Sequence, residues 1–159
     1  MRLLAVLFLF LFFASAACGT DDSSEPILSG FGEPLDAEAR ERMVARLRSE
    51  RDTWKSAALG TYSLTLEAWN AGRTDTLSFV VQDDRLVSAG ERAAAWGLRP
   101  DGTPVIDQLF AVLADAIEEG DALRVEFQSD LGYPASVSID WDASAFDDEV
   151  RYTVLELGR

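Results

Sequence analysis

The densest group of side chains that could do chemistry lies late in the sequence, between residues 140 and 149. Five carboxylates and one hydroxyl fall within these ten residues, and they are Asp140, Asp142, Ser144, Asp147, Asp148 and Glu149. If the preceding strand continues, its alternation places Asp140 and Asp142 on one face, away from the apolar residues between and before them. Hard oxygen ligands at alternating positions suit Ca²⁺, so the four aspartates are candidate calcium ligands.

The segment begins like the calcium loop of an EF-hand and then departs from it. Asp140, Asp142 and Ser144 occupy the first three ligand places, but Ala145 stands where glycine makes the sharp turn, and Arg151 stands where a glutamate closes the site. An EF-hand is therefore excluded. Three interpretations stay open: solvated turn acids that cap backbone N–H groups, which we favour; a looser calcium site; and a carboxylate pair that hydrolyses a substrate, as in a glycosidase.

Residue types that are missing exclude most other catalytic chemistry. The chain has no histidine, which removes Ser-His-Asp triads, histidine bases and histidine-bound zinc. Two glycine motifs that bind phosphate groups, G-x-x-x-x-G-K-[ST] and G-x-G-x-x-G, are both absent from the sequence. We therefore expect no cofactor and assign no catalytic residue, and we expect the protein not to be an enzyme.

The charge of the chain restricts its partners. The net charge is −14, with 14 basic against 28 acidic residues. Such a chain repels phosphate backbones and anionic lipid headgroups. Nucleic acid is therefore not expected as a partner, and attachment to a membrane must come from something other than a basic patch.

The N-terminal residues predict export and lipid attachment. Arg2 precedes the apolar run Leu3–Phe13, which is followed by the small residues Ala14–Ala17. A run of about 11 residues is too short to span a bilayer, which takes about 20, and small residues before a cut site complete a signal peptide. Cys18, the only cysteine, follows directly. The segment resembles the lipobox of bacterial lipoproteins, although Ser15 stands where leucine is usual.

This resemblance implies a protein anchored in the cell envelope through a lipid on Cys18. Gly19 follows the cysteine where aspartate tends to retain lipoproteins at the inner membrane, so an outer-membrane position facing the periplasm is implied in a Gram-negative organism. The alternative is a secreted protein in which Cys18 is incidental. A lipidated Cys18 leaves no thiol for a disulfide, thiolate catalysis or an iron–sulfur cluster. The other expected partner is an unidentified envelope protein or small ligand, bound by a monomer.

The pattern along the chain predicts one domain of α+β class. Residues 1–17 are the signal peptide, residues 18–34 a flexible tether rich in Gly, Ser, Pro and acid, and residues 35–159 the domain. Its elements follow the order α-βββ-α-βββ, with about six antiparallel strands and two helices on one face. In chain order they are a helix from Asp36 to Ala58, strands through Tyr62–Ala68, Leu77–Val81 and Arg85–Ala89, a loop from Ala93 to Gly102, a helix opened by Thr103 as N-cap and closed by Gly120, and strands over Leu123–Gln128, Ala135–Trp141 and Glu149–Leu157.

Several short motifs occur within this domain: Asp107-Gln-Leu109-Phe110, Val125-Glu-Phe127, Leu131-Gly132-Tyr133-Pro134, Ile139-Asp140 and Asp147-Asp148-Glu149-Val-Arg-Tyr152. Together they resemble an uncharacterised family of secreted bacterial domains, the domain of unknown function 6174. Members of this family also have a tryptophan before a first strand that contains a tyrosine, and Trp54 and Tyr62 are similar to these residues. Family members are typically lipoproteins and often carry a cysteine cluster after the first strand, where this chain has Trp69-Asn70-Ala71-Gly72. The family has no assigned activity, so the resemblance implies fold and export only.

Overall fold

The computed structural model describes residues 32–145 and 147–159. These residues form two α-helices, a short 3₁₀-helix and one antiparallel sheet. The elements in chain order are β1 (Glu33–Pro34), α1 (Ala37–Ala57), β2 (Tyr62–Asn70), β3 (Arg73–Gln82), β4 (Arg85–Ala89), the 3₁₀-helix (Ala93–Trp96), α2 (Val105–Glu119), β5 (Ala122–Phe127), β6 (Pro134–Asp140) and β7 (Val150–Gly158).

The sheet confirms the predicted α+β class and adds one short strand to it. Its spatial order is β1-β5-β6-β7-β2-β3-β4, and every neighbouring pair is antiparallel. The last strand, β7, therefore lies in the middle, between β6 and the first long strand, β2. This insertion joins the two three-strand groups into a single sheet.

One face of the sheet carries the core. The side chains of Leu64 and Leu66 on β2 lie opposite Phe79 and Leu77 on β3, and all four are nearly inaccessible to solvent. Helix α2 covers this face with an apolar stripe at helical spacing, as its sequence predicts. The buried residues of that stripe are Val105, Ile106, Leu109, Phe110, Leu113, Ala116 and Ile117.

Met43, Leu47 and Trp54 lie on one face of α1 at helical spacing, a pattern that predicts a buried core helix, but the helix is only partly covered. Asp36 caps its first turn as expected, accepting a hydrogen bond from the Ala39 N–H at 2.7 Å. The helix ends at Ala57, with Ala58 as its C-cap in the left-handed conformation, within one residue of the predicted end. Of its 21 residues only Trp54 is buried. Helix α1 therefore packs beside α2 with much of its apolar face only partly covered.

The start of α2 corrects a prediction. The N-cap is Pro104 and not Thr103, and no side chain caps the helix directly. Gln108 holds the preceding loop instead: its side chain donates to the carbonyls of Thr103 and Arg99, both at 2.8 Å, and accepts from the Arg99 N–H at 2.6 Å. The cap expected from Thr103 is therefore replaced by a buried glutamine one turn into the helix.

The predicted tether overlaps the sheet at its last two residues. Glu33 and Pro34 pair with Leu123 and Ala122 of β5, within the stretch expected to be flexible. Gly32 makes this approach possible, because a Cβ at that position would lie 2.3 Å from the carbonyl carbon of Leu123. The sheet therefore includes residues that sequence reasoning assigned to the tether. The predicted signal peptide, Cys18 and residues 19–31 lie outside the described residues.

Candidate functional site

The acidic segment connects the ends of two central strands. It leaves β6 at Asp140 and enters β7 at Val150. Asp140 lies opposite Ala122 and, by strand alternation, on the face of the sheet away from the core, as predicted. The side chain is nevertheless only 5% exposed. For Asp140 the interpretation as a solvated turn acid is therefore wrong.

Asp140 is a buried carboxyl without a partner for one of its oxygens. Its Oδ1 atom makes no hydrogen bond within the described residues, and the same holds for Oδ1 of Asp148. Burial raises the pKa of Asp140, and the negative charges of Asp148, Glu149, Asp121 and Asp142 raise it further. The arrangement therefore favours the protonated form of Asp140.

The neighbouring Asp142 behaves as a turn acid. It is exposed, and its Oδ1 accepts hydrogen bonds from the Ser144 N–H at 2.9 Å and the Ser144 hydroxyl at 2.6 Å. These two bonds lower the pKa of Asp142. Asp142 thus matches the favoured interpretation, in which a carboxylate caps backbone groups of its own turn.

The remainder of the acidic segment is tied to β2 through its backbone. Asn70 at the end of β2 donates from its side-chain amide to the carbonyls of Glu149 at 3.0 Å and Asp147 at 3.4 Å. The Asp147 side chain is exposed, whereas that of Asp148 is half-buried. The four predicted calcium candidates therefore divide into an inner pair, Asp140 and Asp148, and an outer pair, Asp142 and Asp147.

This division bears on calcium, which takes six to eight oxygen ligands. Within residues 32–145 and 147–159, no group of three or more acidic or cysteine side chains is arranged to hold a metal ion. Calcium binding by the acidic segment stays a prediction. Any such site would have to draw most of its oxygens from backbone carbonyls and water.

A second buried carboxylate, Asp75 on β3, was not singled out from the sequence. It is 7% exposed and accepts hydrogen bonds from the Trp96 indole at 2.8 Å, from Arg73 at 2.7 Å and from Arg92. These bonds, that of Trp96 foremost, lower the pKa of Asp75 to about 2. The alternation of β3 could have revealed it, because Asp75 continues the inward series of Leu77 and the residues that follow.

Asp75 positions the 3₁₀-helix over the end of the sheet. The Arg73 guanidinium lies 5.2 Å from the centre of the Trp96 ring, and the Tyr152 hydroxyl donates to the Trp96 carbonyl at 2.9 Å. Trp96 is thus held from three sides. The predicted loop from Ala93 to Gly102 is therefore partly a helix with a defined place in the core.

Residues that carry the family resemblance meet between α1, β2 and the turn before β6. The Trp54 ring packs edge-on against Tyr62 at 5.5 Å and against Tyr133 at 5.9 Å, measured between ring centres. Gly132 has a φ of +71°, and a Cβ there would lie 2.5 Å from the Glu50 carbonyl oxygen. These motif residues are therefore contacts that hold α1 against the sheet.

A groove between the two helices was also missed by sequence reasoning. This interhelical groove has a volume of about 550 Å³ and combines apolar walls with charged edges. It could not be seen in the sequence because the pattern of α1 predicts a buried face. Its lining residues are Arg40, Val44, Leu47, Arg48, Arg51, Ala114, Ile117 and Glu118.

The fold defines the class of protein: an α+β domain in which two helices accompany an antiparallel sheet. Neither helix in the described part of the chain is long and apolar enough to cross a membrane. The chain belongs to the family of unknown function DUF6174, whose model matches residues 46–159. The resemblance drawn from the sequence motifs is thereby confirmed. Among curated proteins, none matches the sequence.

Proposed function

We propose that this protein is a lipid-anchored domain of the bacterial cell envelope that acts by binding or as a structural element, without catalysis. The observation that carries the proposal is Cys18, the only cysteine, placed directly after a segment with the features of a signal peptide. In this proposal the mature chain begins at Cys18 and is held by acyl chains on that residue. Gly19 directs it to the outer membrane, facing the periplasm, where the organism has one.

The distance between Cys18 and the sheet supports a location close to the membrane. The first paired strand begins at Glu33, 15 residues after Cys18. A chain of that length reaches about 50 Å when fully extended. The domain would therefore work within a few nanometres of the membrane surface, on partners present there, and we propose that it does so as a monomer.

The state of the acidic residues supports a role without catalysis. Two carboxyl groups that hydrolyse a glycosidic bond must both face the substrate. Asp140 is buried, and Oδ1 of Asp142 accepts hydrogen bonds from the N–H and the hydroxyl of Ser144. The chain also has no histidine, the side chain that most often serves as a general base.

Calcium binding by the acidic segment is a second candidate function, favoured by one specific observation. Oδ1 of Asp140 and Oδ1 of Asp148 are both buried and lack hydrogen-bond partners among the described residues. Buried carboxylate oxygens without donors are costly unless a proton or a cation offsets them. Calcium ranks second because no group of three or more acidic side chains within residues 32–145 and 147–159 is arranged to hold a metal ion.

The proposal is tested by replacing Cys18 with serine and following where the full-length protein goes. We expect Cys18→Ser to prevent cleavage of the signal peptide and to move the protein out of the detergent phase on phase separation. Thr20→Ser, a change of similar size two residues away, serves as the matched control and should partition like the unmodified sequence. A Cys18→Ser protein that is processed and partitions like the control would contradict lipid anchoring.

A further inference from the structure

The interhelical groove lies between two helices that run in opposite directions. At one end, the Arg40 guanidinium donates to the carbonyls of Ile117 and Gly120 and so caps the C-terminal end of α2. At the other end, the Arg51 guanidinium lies 6.0 Å from the centre of the Phe110 ring. A groove of about 550 Å³ is within the usual range for sites that bind small molecules.

The walls of the groove are apolar along most of its length. Val44 and Leu47 form the wall on α1, and Ala114 and Ile117 form the wall on α2. Val44 and Leu47 are only partly covered, and Ala114 is exposed. Partly covered apolar side chains on both sides of one groove gain free energy when an alkyl chain displaces the water between them.

The charge at the groove differs in sign from that of the chain. Helix α1 carries four acidic residues and six basic ones, whereas the whole chain has a net charge of −14. Three of those basic residues line the groove: Arg40, Arg48 and Arg51. The one acidic residue that lines it, Glu118, is next to Ile117 and so lies at the Arg40 end. The Arg48 and Arg51 end is therefore the electropositive one.

Arg48 is the residue at this end that is free to bind a ligand. It is exposed, and it makes no ion pair or hydrogen bond to any other described residue. Arg51 lies near Asp107: burial raises the pKa of this carboxyl, and the charge of Arg51 offsets part of the rise, so part of the charge of Arg51 is already compensated. A planar guanidinium without a partner is well suited to hold a carboxylate through two parallel hydrogen bonds.

We propose that the interhelical groove binds a single-chain anionic amphiphile, a fatty-acid carboxylate, with its head at Arg48 and its alkyl chain between α1 and α2. The charge complementarity of the Arg48 end selects the anionic head. The apolar walls formed by Val44, Leu47 and Ile117 select the alkyl chain. This inference does not depend on a lipid at Cys18.

The test uses residues 18–159 carrying Cys18→Ser, so that the chain is not lipidated, and laurate as the probe below its micelle concentration. We expect saturable binding of one laurate per chain by calorimetry. Dodecyltrimethylammonium and dodecyl maltoside have a tail of the same length with a cationic or neutral head, and both should bind at least about tenfold more weakly, the ratio expected for a charge-assisted bond.

Two variants locate the binding to the groove. Arg48→Ala should weaken laurate binding about tenfold, and Ala114→Trp, which fills the groove from an exposed position, should abolish it. The matched controls are Arg124→Ala, at an exposed arginine on β5, and Ala45→Trp, at an exposed alanine on the solvent side of α1. Both controls should bind laurate like the parent chain.

Five results would overturn the proposal: no laurate binding, equal binding of all three head groups, unchanged binding by Arg48→Ala, unchanged binding by Ala114→Trp, or binding to vesicles of anionic phospholipid without binding to laurate. The last would assign the basic side of α1 to a membrane surface. If Ala114→Trp lowers the stability of the domain, Arg48→Ala still tests the proposal, because the exposed Arg48 side chain can be removed without loss of packing. Since the chain tested carries no lipid, these results are independent of Cys18→Ser partitioning.

Discussion

Replacing Tyr152 by phenylalanine removes one hydroxyl from the core and tests how the 3₁₀-helix is held. Tyr152 is 6% exposed, and its hydroxyl donates to the Trp96 carbonyl at 2.9 Å. Burial raises the pKa of this hydroxyl to about 12, so it is a neutral donor at every pH of interest. Loss of such a bond, with its acceptor left in the core, costs about 1 to 2 kcal/mol. We therefore expect Tyr152→Phe to lower the free energy of unfolding by that amount.

Tyr62 supplies the matched control, because Tyr62→Phe also removes a buried hydroxyl, but one that makes no hydrogen bond within the described residues. Tyr62 is 3% exposed, and its hydroxyl makes no hydrogen bond within the described residues. Burial raises the pKa of this hydroxyl, and the neighbouring Ile106 backbone offsets part of the rise. The Trp54 contact needs only the ring. Tyr62→Phe should therefore change the free energy of unfolding by less than about 0.5 kcal/mol, or increase it.

Urea unfolding followed by tryptophan fluorescence measures both variants. The midpoint of Tyr152→Phe should fall with an unchanged m-value, as expected when stability changes and the unfolded state does not. In thermal unfolding the same loss corresponds to roughly 3 to 8 °C for a domain of this size. Equal losses in the two variants, or a larger loss for Tyr62→Phe, would refute the assignment of the Tyr152 bond as the contact that holds Trp96.

Three further predictions concern the acidic segment and the motif turn. Because folding raises the pKa of Asp140, ionisation of this carboxyl weakens the folded state as the pH rises above about 4. Asp140→Asn should therefore raise the free energy of unfolding at pH 7, and this gain should shrink towards pH 4 and be absent in the exposed control Asp115→Asn. Millimolar Ca²⁺ should shift the melting temperature no more than Mg²⁺ does, and a calcium-selective rise of several degrees that Asp140→Asn removes would favour the second candidate function. Gly72 and Gly132 both have positive φ, but of these two only Gly132 has surroundings with which a Cβ would collide. Gly72→Ala should lower the free energy of unfolding by about 1 to 2 kcal/mol, and Gly132→Ala should lower it clearly more. Equal losses in urea unfolding would argue against the packing of this turn on α1.

The regular elements were predictable because their patterns are local. The alternation of Leu64 and Leu66 on β2 and the helical stripe on α2 each need one buried face, which a period of two or 3.6 residues reveals. Short connections with turn residues then favour antiparallel pairing of neighbouring strands, so the α+β class follows. The place of β7 between β6 and β2 does not follow, since nothing local in a strand specifies a distant partner.

The features of the candidate sites depend on contacts between residues that are distant in the sequence, and this is why the sequence does not predict them. Asp140 has the alternation expected of a solvent-facing residue, yet it is buried together with Asp148 from the turn that follows. The sequence predicts Arg48 as an exposed residue of α1. It lines a groove only because of how α1 packs against α2, which the sequence of α1 does not specify. The composition around Pro34 predicts a tether. Its pairing with β5 depends on the close approach of Gly32 to Leu123, where a Cβ would not fit, and the local sequence does not reveal this contact.

The proposed lipid attachment at Cys18 is tested most directly by the mass of the N-terminal peptide of the protein purified from the cells that make it. We expect a peptide that begins at Cys18, carries a diacylglyceryl group on the sulfur and, in organisms that add one, a further acyl chain on the nitrogen. We also expect that no peptide from residues 1–17 is recovered from the mature protein. A peptide with an unmodified Cys18 thiol, or a mature N-terminus at any other residue, would contradict it.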